Sequence, residues 1–169
     1  MKRIFILLLS VCVLSAAAAA TGSFTDRTPA YFVDLYGYPA SSKNVGNAVF
    51  THMKYGSANV KGRFSAREFR SGELSIKATF EVPSLRLAGV RLQLPRQWTP
   101  EQLNAALSAY GSDWSPTNHN GIIREWAKPD GSKAVYILTW LEIQSPAIAK
   151  AVELVISEME AKRKVVPKF

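Results

Sequence analysis

The chain has 169 residues, a formal charge of +8 and a single cysteine, Cys12, which lies in an N-terminal apolar run. Beyond that run there is no thiol, so disulfide bracing and thiol chemistry are excluded from the body of the protein, and its hydrophobic core must stabilise it alone. The cationic excess, +6 without Lys2 and Arg3, suits acidic partners such as lipid headgroups, anionic polysaccharide or an acidic protein patch.

Lys2 and Arg3 precede an apolar run from Ile4, and Ala18, Ala19 and Ala20 then offer a small-residue cleavage site before Thr21. This order predicts a cleavable export signal over 1–20 and a periplasmic or secreted product. Ile4 to Ala20 falls just short of the roughly 18 to 20 apolar residues that span a bilayer, and no stop-transfer charge follows it. Cys12 does not read as a lipidation site, because the branched Val11 precedes it and further apolar and small residues follow.

Residues 21–27 are polar and predict a short mobile leader. Thr28 and Pro29 then open a helix whose apolar stripe is Tyr31, Phe32 and Leu35, stopped by Gly37 and Pro39. "AVFTHMKY", from Ala48 to Tyr55, has strand character. "LSIKATFEV" is cleaner, with Leu74, Ile76, Ala78, Phe80 and Val82 alternating against Ser75, Lys77, Thr79 and Glu81. In the next run Leu85 and Leu87 are out of phase with Val90, Leu92 and Leu94, which predicts a bulge at Ala88-Gly89.

Thr99 and Pro100 repeat the helix opening 71 residues after Thr28, with Leu103, Ala106, Leu107 and Tyr110 as the stripe and Gly111 as the stop. "GIIREWAKPDGSKAVYILTWLEIQ" predicts a hairpin turning at Lys128-Pro129-Asp130-Gly131. Ser145 and Pro146 open a last amphipathic helix that ends in a basic tail, where Val165, Val166 and Phe169 give a surface for peripheral contact with an anionic membrane. The expected architecture is α+β: antiparallel sheet with helices packed on one face, plus a C-terminal helix. Its divisions are a first helix-plus-sheet unit over 28–95, a second helix-plus-hairpin unit over 96–145 and the helix with its tail over 146–169.

"YFVDLYGYP" followed by strands resembles the opening of the BamE (SmpA/OmlA) and beta-lactamase-inhibitor-like group of small exported bacterial modules. The resemblance is carried by Phe32, Leu35, Gly37 and Pro39 in the first unit and by Leu103, Leu107 and Gly111 in the second. It implies short helices packed on antiparallel sheet, in tandem in the inhibitor branch, and protein binding through a sheet face. The chain differs in lacking a Gly-Met pair at its first helix, a second Gly-x-Pro and the inhibitor's cysteines.

Chemistry-bearing sets are sparse. His52 and His119 are the only histidines, with no spacing that marks a metal site and no Gly-rich phosphate loop, so neither a cofactor nor a metal is expected. The most suggestive segment is "KGRFSAREFR", where Arg63, Arg67 and Arg70 interleave with Phe64 and Phe69, a set suited to carboxylate or phosphate contacts and stacking. Trp126 is the added aromatic anchor. The expected function is non-enzymatic binding of a protein or anionic envelope component by a sheet face and this segment; nucleic acid is not expected outside the cytoplasm. The contrasting reading is a secreted hydrolase that uses His119 with the polar residues around it.

Overall fold

The computed structural model of the protein describes residues 23–120 and 122–165, with side chains as far as residue 163. The expected export signal over 1–20 and residues 166–169 of the basic tail lie outside the described residues. In chain order the elements are a 3-10 turn Phe24–Asp26, α1 Pro29–Tyr36, β1 Ser41–Phe50, β2 Ala58–Ser71, β3 Leu74–Glu81, β4 Leu87–Gln93, α2 Pro100–Ala109, β5 Ser115–Asn120, β6 Ile123–Ala127, β7 Lys133–Ile137, β8 Trp140–Gln144 and α3 Pro146–Val165.

All eight strands join one antiparallel sheet in the order β1-β2-β3-β4-β8-β7-β6-β5. The order is unchanged when β1 to β4 are exchanged with β5 to β8. Two helix-then-four-strand units produce this arrangement when their last strands pair. The second unit is therefore larger than a hairpin. "SPTNHN" forms the edge strand β5, and the run read as one strand after the Lys128-Gly131 turn folds back at Leu138 and Thr139 into β7 and β8. Leu138 takes φ 56° in that turn without the glycine or asparagine that usually announces one.

Side chains alternate between the two faces of each strand, and the two faces bury different things. On one face Phe69, Ile76, Phe80, Val90, Leu92, Leu141 and Ile143 meet Phe32 of α1 and Leu103, Ala106 and Leu107 of α2 in the main core. The expected bulge at Ala88 is present: Thr79 pairs with Gly89 while Phe80 pairs with Leu87, so Leu87 and Val90 reach the same core. The expectation of a mobile leader does not hold from residue 23 onward, because Phe24 and Arg27 are buried against α2. Arg27 donates to Ala109 O at the end of α2, and its guanidinium lies 4.3 Å from the Tyr110 ring centroid.

The helix α3 takes the opposite face. Its Ile148, Val152 and Ile156 pack on Val60 and Phe64 of β2, on Phe50 and on Ala88. Ser145 caps this helix by accepting from Ile148 N–H at 3.3 Å. β1 begins and ends earlier than the "AVFTHMKY" pattern predicted, and residues from Thr51 to Ser57 form the connection to β2. That connection curls over the second face, held by Lys54 to Glu160 at 3.0 Å and by the hydroxyl of Tyr55, which donates to Glu160.

Candidate functional site: an open cationic strip on the sheet

β2 carries the basic-aromatic segment, and strand parity divides it. Phe64 and Phe69 are five residues apart, so they point to opposite faces and enter different cores. Neither is an exposed anchor. Burying a phenylalanine stabilises the fold by roughly 1.5–3 kcal/mol, which is where these rings are used. Arg67 shares the face of Phe69; it is half-buried, 5.9 Å from the Phe80 ring centroid, and its Nε finds no partner among the described residues. Arg63 and Arg70 are exposed, but their odd separation also puts them on opposite faces. The predicted set therefore does not converge. Trp126, on β6 opposite Ala134, sits on the face of the main core and joins none of these arginines.

What the sheet brings together instead lies on the second face, beyond the part that α3 covers. Register places Glu68, Lys77, Arg91 and Glu142 in one row across β2, β3, β4 and β8, and Arg70, Ser75, Gln93 and Trp140 in the next. Arg70, Lys77, Ser75 and Gln93 are exposed, while Arg91 and Trp140 are half-buried with the guanidinium 5.5 Å from the indole centroid. Lys43 of the edge strand β1 lies on the same face, opposite Ala66. The strip thus runs from the exposed cations on β1, β2 and β3 across Ser75 and Gln93 to the half-buried indole of Trp140 on β8. The sequence names Trp140 only as one of four tryptophans, and pairing is what sets it beside Arg91 and Gln93.

A buried network fixes the floor of the strip. Glu142 accepts from Arg91 Nη2 at 2.6 Å and Nε at 3.0 Å, from Gln144 Nε2 at 2.9 Å and from Thr51 N–H. Arg91 Nη2 also donates to the Thr51 hydroxyl at 3.2 Å, and Gln144 Nε2 to Thr51 O at 2.7 Å. Three separate segments are tied by one carboxylate. With Arg91 neutralised in this way, Arg70 and Lys77 are the cations that an incoming group meets, and the exposed Glu68 opposite Lys77 is the nearby carboxylate.

The two histidines are not assembled with catalytic partners. His52 is in the β1–β2 connection and not mid-strand; its Nδ1 accepts from Lys54 and Tyr55 N–H, each at 3.3 Å, and its Nε2 lies 3.8 Å from Glu153. His119 is exposed on the edge strand β5 opposite Arg124, and its ring makes no hydrogen bond or ion pair among the described residues. Among those residues no cluster of three or more His, Cys, Asp or Glu is placed to hold a metal ion.

Perturbed titration is concentrated on the other face, in a tyrosine cluster beside Arg27. Burial, reinforced by Tyr31, pushes Tyr36 up to about 12, against the lowering effect of Arg27. Burial also drives Tyr110 well above its ordinary value, with Tyr36 adding to the effect. Both hydroxyls therefore stay neutral and act as packing groups. Comparison of the chain with models of protein families, with curated proteins and with solved structures finds no match.

Proposed function

We propose that the protein is an exported, non-enzymatic binding module that takes an anionic partner, an acidic protein surface or an envelope polyanion, on the open strip of its sheet. One observation carries the reading: Arg70 on β2 and Lys77 on β3 stand exposed in adjacent rows that run on to Trp140 and to the hydrogen-bonded Arg91–Glu142 pair on β4 and β8. Two exposed cations on neighbouring strands of one sheet face offer an anion charge-assisted hydrogen bonds from a backbone that the sheet already orders. The basic composition and the N-terminal export pattern support the same reading, as does the resemblance to modules that use a sheet face for protein binding.

The anchoring aromatic in this account is Trp140, and the arginine that the segment on β2 contributes is Arg70. No helix among the described residues is long and apolar enough to cross a membrane. The test is recovery of partners from a cell-envelope extract by immobilised protein, with wild type compared against an Arg70→Glu/Lys77→Glu pair. Those two side chains are exposed, so the pair leaves the cores intact. Recovery that falls as salt rises and disappears with the pair supports the proposal. Recovery of the same partners by both proteins overturns it.

A further inference from the structure

On the side of the molecule away from that strip, a groove of about 250 Å³ runs between the end of α2 and the indoles of Trp114 and Trp126. The indoles are held. Trp114 donates from Nε1 to Leu107 O at 2.9 Å, and Trp126 packs half-buried against the main core. Facing them, Asn104, Ser108 and Asp113 are exposed, and the Ser112 hydroxyl lies 3.0 Å from the Asp113 carboxylate.

Charge narrows what such a groove accepts. An anion meets the Asp113 carboxylate and the negative end of the α2 dipole, and the ammonium of Lys128 beside the groove is already paired with Asp130 at 3.7 Å. A cation finds its place on Trp114 taken, because Lys128 Nζ already lies 5.5 Å from that ring centroid. Gly111 makes room for this lysine: at φ +123° it is in the left-handed half of backbone space, and a Cβ there would come within 2.6 Å of Lys128 Nζ. What remains favourable is an uncharged ligand with one flat apolar face for an indole and a rim of hydroxyls for an amide, a hydroxyl and a carboxylate. The groove is smaller than the roughly 300–1,000 Å³ of sites for drug-sized ligands, which limits it to a short fragment.

We propose that this groove is a binding site for a neutral saccharide, with one sugar ring stacked on Trp126 and its hydroxyls held by Asn104, Ser108 and Asp113. The site is separate from the cationic strip and its test is independent of it. Tryptophan side-chain N–H resonances of the full chain are followed by NMR during titration with N-acetylchitotriose, cellotriose and maltotriose. The expected result is a saturable shift of the Trp114 and Trp126 signals with at least one of the three, while Trp98 and Trp140 stay unmoved. Trp126→Ala removes the shift, and Ser108→Phe, an exposed helix position that fills the groove, weakens binding by about tenfold or more. The Arg70→Glu/Lys77→Glu pair retains it. Should Trp126→Ala fail to fold, Ser108→Phe decides. No saturable shift with any of the three sugars, or a shift that survives Ser108→Phe, overturns the proposal.

Discussion

Arg91 and Glu142 face one another across β4 and β8, with Nη2 2.6 Å from Oε2, and the same carboxylate accepts a hydrogen bond from Thr51 N–H in the distant β1–β2 connection. Glu142 is buried and Arg91 only half so. A charge taken out of water in this way is costly to leave without its partner. Arg91→Met is therefore expected to destabilise by about 3–5 kcal/mol, whereas Arg91→Met combined with Glu142→Leu recovers most of the loss. Urea midpoints at unchanged slope measure both. Equal losses in the single and double variants would contradict the assignment.

Two threonines that look alike in the sequence are expected to differ. Thr99 accepts from Gln102 N–H at 3.2 Å while Gln102 Oε1 accepts from Thr99 N–H at 3.0 Å, a reciprocal capping box. Thr28 makes no side-chain cap bond, and the third helical residue after it is Tyr31, which cannot return one. Thr99→Ala should cost about 1 kcal/mol and Thr28→Ala only a few tenths, by thermal or denaturant unfolding.

Alkaline stability follows from Tyr36. Its folded value, about 12, lies above the ordinary 10.0, so the folded state holds this proton more tightly than the unfolded chain does. The associated stability is fully present below about pH 10 and is lost as pH rises toward 12. Tyr36→Phe should flatten the fall in stability over that window by on the order of 2 kcal/mol. The part of the tyrosinate absorbance that Tyr36→Phe removes should appear together with unfolding in the wild type. An unchanged alkaline profile in the variant would rule out this assignment.

The helix α3 covers apolar surface that would otherwise face water. Ile148→Ala removes a side chain packed among Val60, Phe64 and Ala88, and should cost about 2–5 kcal/mol. Leu154, 60% exposed on the outer side of the same helix, should change stability by less than about 0.5 kcal/mol when replaced by alanine. Comparable losses at the two positions would place the helix differently.

How far the sequence carried depended on whether burial left a period to read. Leu74 to Ala78 of β3 alternate between buried and exposed, so the strand is legible, and the phase slip at Ala88 is legible from the same kind of alternation. β5 is an edge strand exposed along its whole length; its "SPTNHN" has no apolar period and resembles a loop. β7 and β8 form one apolar run because Leu138 turns the chain without the usual turn residues. Composition alone groups Phe64 and Phe69 in one patch. Once the segment is a strand, their odd spacing separates them. The strip itself depends on Arg70, Ser75, Gln93 and Trp140 becoming neighbours across strands far apart in sequence, a relation that only pairing supplies.

The central claim is that the partner lies on the uncovered half of the second sheet face. Amide hydrogen exchange of the protein, alone and with a partner recovered from the envelope, tests it most directly. Added protection centred on β3 and β4 around Lys77 and Gln93, reaching Trp140, is the predicted result. Protection confined to α1 and α2, with β3 and β4 unchanged, would contradict it.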